Sequence, residues 1–453
     1  MNPQNIDPNE RLRHAARVQP LSELEPHPDR SSVVDVPPPP PRYHTARQQA
    51  GRPQRYYPWK KIAAIVAVIV VLGAAAFAVP SVIDSISKSS QRAATPPPPA
   101  AAPTSIRLMA AGDFIAHDSV NAAALKDDGT YDYLPLMSSF VPLFKKADIR
   151  FCNDPILNGG KQYEITGYPE FNSPTEFVRD MGRLGCNLVN TASNHSFDKT
   201  QDVISASMFA WDKVPNMLAV AGQNRTQEER SKVRYFTVDG VKFAFLAYTT
   251  YTNKPVQNSF GVNVFSEEFA SNQIKEAKAN GAQFIIASMR WGTEYANEVN
   301  ADQQAKAQFL ADQGVDLVLG HGPHVLQTVD ELVGASGKKT LVWYSLGNFI
   351  NSQIPPETLF NGLAIMNIDI KTKKISKTQY LPIYMQYKWN ATQAAAQDLD
   401  ARYDLKIMPL ENATQAMLDA QQLKTTIAAQ KERITNLLTA NNLQIPLITT
   451  KDL

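Results

Sequence analysis

The middle of this 453-residue chain predicts an α/β domain. Between about residues 105 and 386, short apolar runs alternate with stretches of helical period. Several of those runs end in Gly, Asn, Asp or His, the composition of turns at the strand ends where α/β sheets build their sites. The runs at 235–238 and 243–248 flank Asp239-Gly240, a hairpin signature, so antiparallel pairs are expected beside parallel ones and the sheet order is mixed.

From the N-terminus, residues 1–61 contain no apolar run and an unbroken proline string at 37–41, followed by Arg42, Arg47, Arg52, Arg55, Lys60 and Lys61. Such a composition predicts a disordered basic tail. Its proline string reads as a stiff solvated spacer, or as a ligand for an SH3-like partner. Residues 62–79 carry no charge, and the next charge is Asp84. Continued to residue 83 at ~1.5 Å per residue, the run crosses a ~30 Å hydrocarbon layer as a helix. With about sixty residues before it, it reads as a retained anchor, not a cleaved signal. Trp59, Lys60 and Lys61 suit the interface, and the cationic cluster ahead of the run places the N-terminus in the cytoplasm and the main domain outside. Residues 84–104, with prolines at 96–99, read as a Pro/Ala-rich stalk.

Within the domain, 105–390, strands are expected at 106–111, 188–191, 235–238, 243–248, 284–288, 315–319, 341–345 and 363–370. Helices are expected at 175–184, 203–211, 267–279 and 303–313, the first capped by Ser173-Pro174. Residues 391–453 are polar and alanine-rich, with helical period at 413–422 and 425–439, and read as a helical C-terminal extension. The only cysteines, Cys152 and Cys186, form one disulfide in an oxidising compartment or remain two buried thiols. The net charge is +2, with Lys and Arg dispersed, which argues against nucleic acid as a partner.

The candidate chemistry centres on 315–327, VDLVLGHGPHVLQ. Here an apolar strand runs into a Gly- and Pro-stiffened turn carrying His321 and His324. Three of the seven histidines lie in the tail; the others, His117, His195, His321 and His324, all follow strand-like runs, the placing of ligands rather than of packing residues. The same pattern sets Asp113 after the first strand, Asn153 and Asp154 after 149–152, and Asn194 and His195 after 188–191, with Asp198 placed to accept from a ring N–H. It also sets Arg290 and Glu294 after 284–288, and Asn348 on the turn of 343–349. Mixed imidazole and oxygen donors suit one or two Mn, Fe or Zn ions, which together activate water against a phosphoryl centre. Ser193 and Ser345 lack a GxSxG setting, which argues against a serine hydrolase. Trp291 and Trp343 read as packing residues beside the crevice.

GDFIAHDSV, ASNHSFD, RWGTEY, LGHGPHVLQ and YSLGNF, in that order, resemble the CapA family of capsule and poly-γ-glutamate biosynthesis proteins. The resemblance implies a calcineurin-like metallophosphatase sandwich of two mixed sheets flanked by helices, on a membrane-anchored, extracytoplasmic protein. It implies Asp113 and His117 as first-motif metal ligands, Asn194 as a ligand, His195 as the residue that binds or protonates, and His321 and His324 as the closing pair. Two places depart from the family pattern. Where the family has Glu shortly before Pro, this chain has Cys152-Asn153-Asp154-Pro155, so the acidic metal ligand is Asp154 or its place is taken by Asn153. Where the family reads His-Trp-Gly, Arg290 replaces the His; arginine has no lone pair for a metal but binds phosphate or carboxylate. Arg290, Glu294 and Asn348 are then the anion-binding candidates. The expected function is synthesis, export or attachment of an anionic polymer, with the polymer or a phosphorylated carrier as ligand and polymer-synthase membrane proteins as partners. The alternative is an active metal-dependent phosphoesterase.

Overall fold

The computed structural model describes residues 103–453; the expected tail, the membrane-spanning run at 62–83 and nearly all of the stalk lie outside the described residues. The fold grows from β1 (Ser105–Phe114), whose residues from Leu108 onward are all buried, as befits a strand covered on both faces. β1 pairs in parallel with β2 (Ile149–Asn153) and antiparallel with β12 (Phe360–Asp369). The first sheet runs β14 (Tyr403–Pro409), β13 (Ile375–Lys388), β12, β1, β2, β3 (Leu188–Asn190), β4 (Ala219–Ala221), with β11 (Asn348–Ile350) beside the end of β1. The second runs β5 (Arg234–Val238), β6 (Val241–Thr249), β7 (Phe284–Arg290), β8 (Leu317–His321), β10 (Lys339–Trp343), β9 (Val329–Val333). In it β6, β7, β8 and β10 are parallel and both edge strands antiparallel. Both sheets are therefore mixed. At the β5–β6 hairpin Asp239 and Gly240 have φ of 46° and 76°, the positive values that a two-residue turn joining twisted strands demands.

Alternation along β6 defines the layers. Phe243, Phe245 and Ala247 join the large core that also holds Phe151 of β2, while Ala244, Leu246 and Tyr248 join a second core with helical residues. The rings of Phe151 and Phe245, 6.1 Å apart, connect the sheets. Among the described residues, the helices of seven or more residues are α1 (Asp118–Ala124), α2 (Thr175–Leu184), α3 (Gln201–Asp212), α4 (Glu267–Ala279), α5 (Ala301–Asp312) and α6 (Ile427–Thr439). Ala270, Ile274 and Ala277 of α4 and Ala307 and Leu310 of α5 fill the second core. The spans of α2 and α4 match the periodicity, but the cap of α2 differs. Pro174 occupies the cap position, which leaves Ser173 one residue too early to reach the first turn, and its buried hydroxyl has no partner.

Residues 391–453 are more than a helical extension. β13 is fourteen residues long and needs a neighbour along its second half; β14 supplies it, pairing antiparallel and burying Leu405, Ile407 and Met408. The helices at Gln415–Ala420 and α6 lie within the two stretches of helical period, 413–422 and 425–439. Cys152 and Cys186 are joined in a disulfide, which ties β2 to the turn before β3. Among the described residues, no helix is long and apolar enough to cross a membrane.

Candidate functional site

The parallel strands of both sheets deliver polar residues at their carboxyl ends. Asp113 pairs in register with Asn153 on one side and Asn348 on the other, and Asn153 with Asn190. In the second sheet, Arg290 is in register with His321. All of these residues are at most 1% exposed, so each must find its partners inside the protein.

Asp113 is the hub. One carboxylate oxygen accepts from Asn153 Nδ2 at 2.7 Å and lies 3.6 Å from His321 Nδ1. The other lies 2.8 Å from His324 Nδ1, which is also 3.1 Å from Asn348 Oδ1. Asn153 in turn accepts from Asn190 at 2.6 Å. Burial alone would raise the Asp113 pKa; the hydrogen bond and charge of His324, the charge of His321 and the Asn153 amide hold it below the ordinary carboxylate value. His324 adopts a φ of 62°, unusual for a side chain with a Cβ. Such a conformation persists where several contacts over-determine it, as Asp113 and Asn348 do here.

His321 is fully buried and stacks on Phe151 at 5.2 Å, yet neither of its ring nitrogens has a hydrogen-bond partner. Burial pushes its pKa down to about 4, against the pull of Asp113 and with the aid of Arg290. A neutral, unpartnered imidazole beside a carboxylate has the chemistry of a metal ligand. Asp113, His321 and His324 thus supply the carboxylate and imidazole donor types that a divalent cation takes. As the side chains stand, no group of three or more His, Cys, Asp or Glu among the described residues closes around a common point.

Arg290 anchors the other half of the site. Its Nε donates to Asn194 Oδ1 at 2.9 Å, Nη1 to the Trp291 carbonyl at 3.2 Å and Nη2 to Glu294 Oε1 at 3.1 Å. Its guanidinium lies 5.2 Å from the Tyr251 ring, and Glu294 Oε1 is also 3.9 Å from His324 Nε2, linking the halves. Asn194 donates to Asn253 at 3.1 Å. Beside it, His195 Nδ1 lies 2.6 Å from Asp198 Oδ2, so with Nδ1 protonated the Nε2 lone pair is free for proton exchange. His195 and His117 both pack edge-on against Phe171, at 4.8 and 5.5 Å. His117 Nδ1 accepts from the Ser352 amide at 3.3 Å, and burial, then the charge of His324, lowers its pKa to about 3.

Residues 107–353, which include every strand end just described, match the family model described as Bacterial capsule synthesis protein PGA_cap. The chain belongs to this bacterial capsule synthesis family. It is similar to the PGA biosynthesis protein CapA of Bacillus subtilis (strain 168), with 30% identity over 217 residues, covering 47% of this chain and 55% of that one. It is also similar to the Capsule biosynthesis protein CapA of Bacillus anthracis, with 29% identity over 228 residues, covering 47% and 52%. The chain thus spans about half the length of these curated relatives. Among solved structures, the calcineurin-like phosphoesterase YfkN from Bacillus subtilis aligns with a TM-score of 0.32 at 15% identity, covering 61% of this chain and 90% of that one.

The motif residues of this capsule synthesis family member therefore sort by contact. Asp113, His321, His324 and Asn348 touch one another or a shared partner, as do Asn194, Arg290 and Glu294, while His117 and His195 meet at Phe171. Asp154 is not brought to Asp113. Its carboxylate accepts from Asn158 Nδ2 at 2.8 and 3.0 Å and from Trp211 Nε1 at 3.0 Å, because successive residues of an extended chain point to opposite sides. The position next to Asp113 belongs to Asn153. Phe171, Tyr251 and Asn253 escaped the sequence reading. Tyr251 and Asn253 follow β6 in a polar turn of the same composition as the others; Phe171 carries no signal of its own.

Proposed function

We propose that this chain is a CapA-type protein acting outside the cytoplasm in the synthesis, export or attachment of an anionic capsule polymer of poly-γ-glutamate type. We read its two mixed sheets as a calcineurin-like metallophosphatase sandwich and residues 62–83 as the membrane anchor. The family match supports the capsule role. The anchor rests on hydropathy, and the disulfide supports an oxidising compartment. The observation that carries the ligand class is Arg290. It is buried at a strand end, with three of its N–H groups engaged and two of the five guanidinium donors left for a carboxylate or phosphate oxygen. The polymer or a phosphorylated carrier is its ligand, delivered by polymer-synthase membrane proteins.

A second reading, a metal-dependent phosphoesterase, is favoured by the His195–Asp198 pair and by the unpartnered nitrogens of His321. A divalent cation held by Asp113, His321 and His324 would supply Lewis-acid polarisation of a phosphoryl oxygen. Arg290 would orient that group, and as water adds to phosphorus His195, protonated at both ring nitrogens with its Nδ1–H held by Asp198, would give its Nε2 proton to the leaving oxygen.

The full-length protein in detergent distinguishes them. Titration with poly-γ-glutamate is expected to give binding that weakens with salt, with no matching affinity for an uncharged polymer. Equal affinity for both polymers, or none for either, would sink the binding reading. Chelator-sensitive cleavage of an aryl phosphate that is lost in His195→Ala would favour the second.

A further inference from the structure

We infer that Arg290 takes the place of one metal ion, so that this site is built for a single divalent cation beside a fixed guanidinium. The inference rests on the reading of the crevice as a pocket for a cation and an anionic ligand. Its ligand is a phosphoryl or carboxylate group, with one oxygen toward the cation and another toward the free guanidinium N–H groups.

Three observations lead there. First, the guanidinium engages the donors a second ion would need. The Asn194 side-chain oxygen accepts from Arg290 Nε at 2.9 Å and from Ser193 Oγ at 2.9 Å, and Glu294 is paired with Nη2 at 3.1 Å. Second, the backbone is shaped around the guanidinium. Gly322 has a φ of 114°, and a Cβ there would collide with Arg290 Nη1. Third, the charges allow one dication and not two: Asp113 and Glu294 against the Arg290 guanidinium leave one negative charge, so one dication carries a single surplus positive charge, which the anionic ligand offsets. Near Arg290 and His321 the carboxylates are Asp113 and Glu294; the neighbouring strand brings neutral Asn153, and Asp154 is held by Asn158 and Trp211. Two dications would leave a buried surplus of positive charge, which proteins do not sustain without partners. Meanwhile His321, with both nitrogens unpartnered beside Asp113, leaves a place for one ion.

The test is a Mn(II) titration of the full-length protein, read as bound metal per chain and as the electron paramagnetic resonance spectrum. We expect one Mn(II) per chain with the spectrum of an isolated centre. Arg290→His is expected to bind two and to show exchange coupling between them. Two coupled ions in the wild-type protein would overturn the role given to Arg290 while leaving the cation pocket intact. No bound ion at any concentration that leaves the protein folded would remove the cation pocket itself, and the inference with it. If Arg290→His fails to fold, the wild-type count and spectrum still decide.

Discussion

Asn153 and Asp154 are consecutive, and they leave their strand in opposite directions. Asn153 reaches Asp113, while Asp154 is buried against Asn158 and Trp211 and has its pKa pushed up to about 7, burial outweighing the hydrogen bonds it accepts. Because that value lies above the ordinary one near 3.8, the folded state favours the neutral acid. The contribution to stability is full below about pH 4 and is lost as the pH rises through 7, by up to about 4 kcal/mol at ~1.4 kcal/mol per unit. Asp154→Asn, which fixes a neutral side chain, is expected to gain stability relative to wild type as the pH rises from 4 to 8. Urea unfolding at a series of pH values measures this; a difference independent of pH would contradict it. Chemical type alone favoured Asp154 over Asn153 as the acidic ligand, and only the alternation of the strand tells them apart. Arg290, by contrast, was legible as a departure from its motif, though its contacts to Asn194 and Glu294 were not, since they join residues far apart in the chain.

At the scale of elements, the site depends on how closely β8 approaches its neighbours. A Cβ on Gly320 would collide with the Tyr344 carbonyl and meet the Trp343 carbonyl at 2.7 Å and Trp291 Nε1 at 2.7 Å. Backbone atoms cannot yield as a side chain can, so an added methyl must push β8 from β10. Gly337 also has a positive φ, 79°, but open space around it, so alanine there meets only the ~1–2 kcal/mol penalty of the left-handed conformation. Gly320→Ala is expected to lower the melting temperature well beyond Gly337→Ala, by roughly 3 kcal/mol or more in stability, in line with overpacked interiors. Similar melting temperatures for the two would show that the strands have slack. The elements that carry the site were legible because each strand is apolar and each turn polar. The pairing order was not, because β1 finds β11 and β12 more than two hundred residues away.

For the whole molecule, the part after β13 matters more than its sequence suggests. Polar and alanine-rich stretches around β14 masked a strand that alternates for only a few residues. Yet Leu405, Ile407, Met408, Leu418, Ile434 and Leu438 all enter the main core. The same region straps the two sheets: Arg433 of α6 donates to the Phe360 carbonyl at 2.6 Å, and Asn441 donates to Val329 of β9 at 3.0 Å. At ~1.5–3 kcal/mol for each buried side chain, these six are worth about as much as the ~5–15 kcal/mol that holds a typical domain together. The chain truncated after Asn390 is therefore expected to lose cooperative unfolding and become insoluble; a soluble product with a sharp thermal transition would show that the domain ends earlier. The bridge between Cys152 and Cys186 has a consequence of another kind. It fastens the residue just before Asn153 to the entrance of the strand that carries Asn190. Glutathione and thioredoxin would keep those two sulfurs apart in the cytosol. Wherever such reductants prevail, the polar row from Asp113 through Asn153 to Asn190 has to assemble without its covalent clasp, and the finished pocket becomes a record of where the chain has travelled.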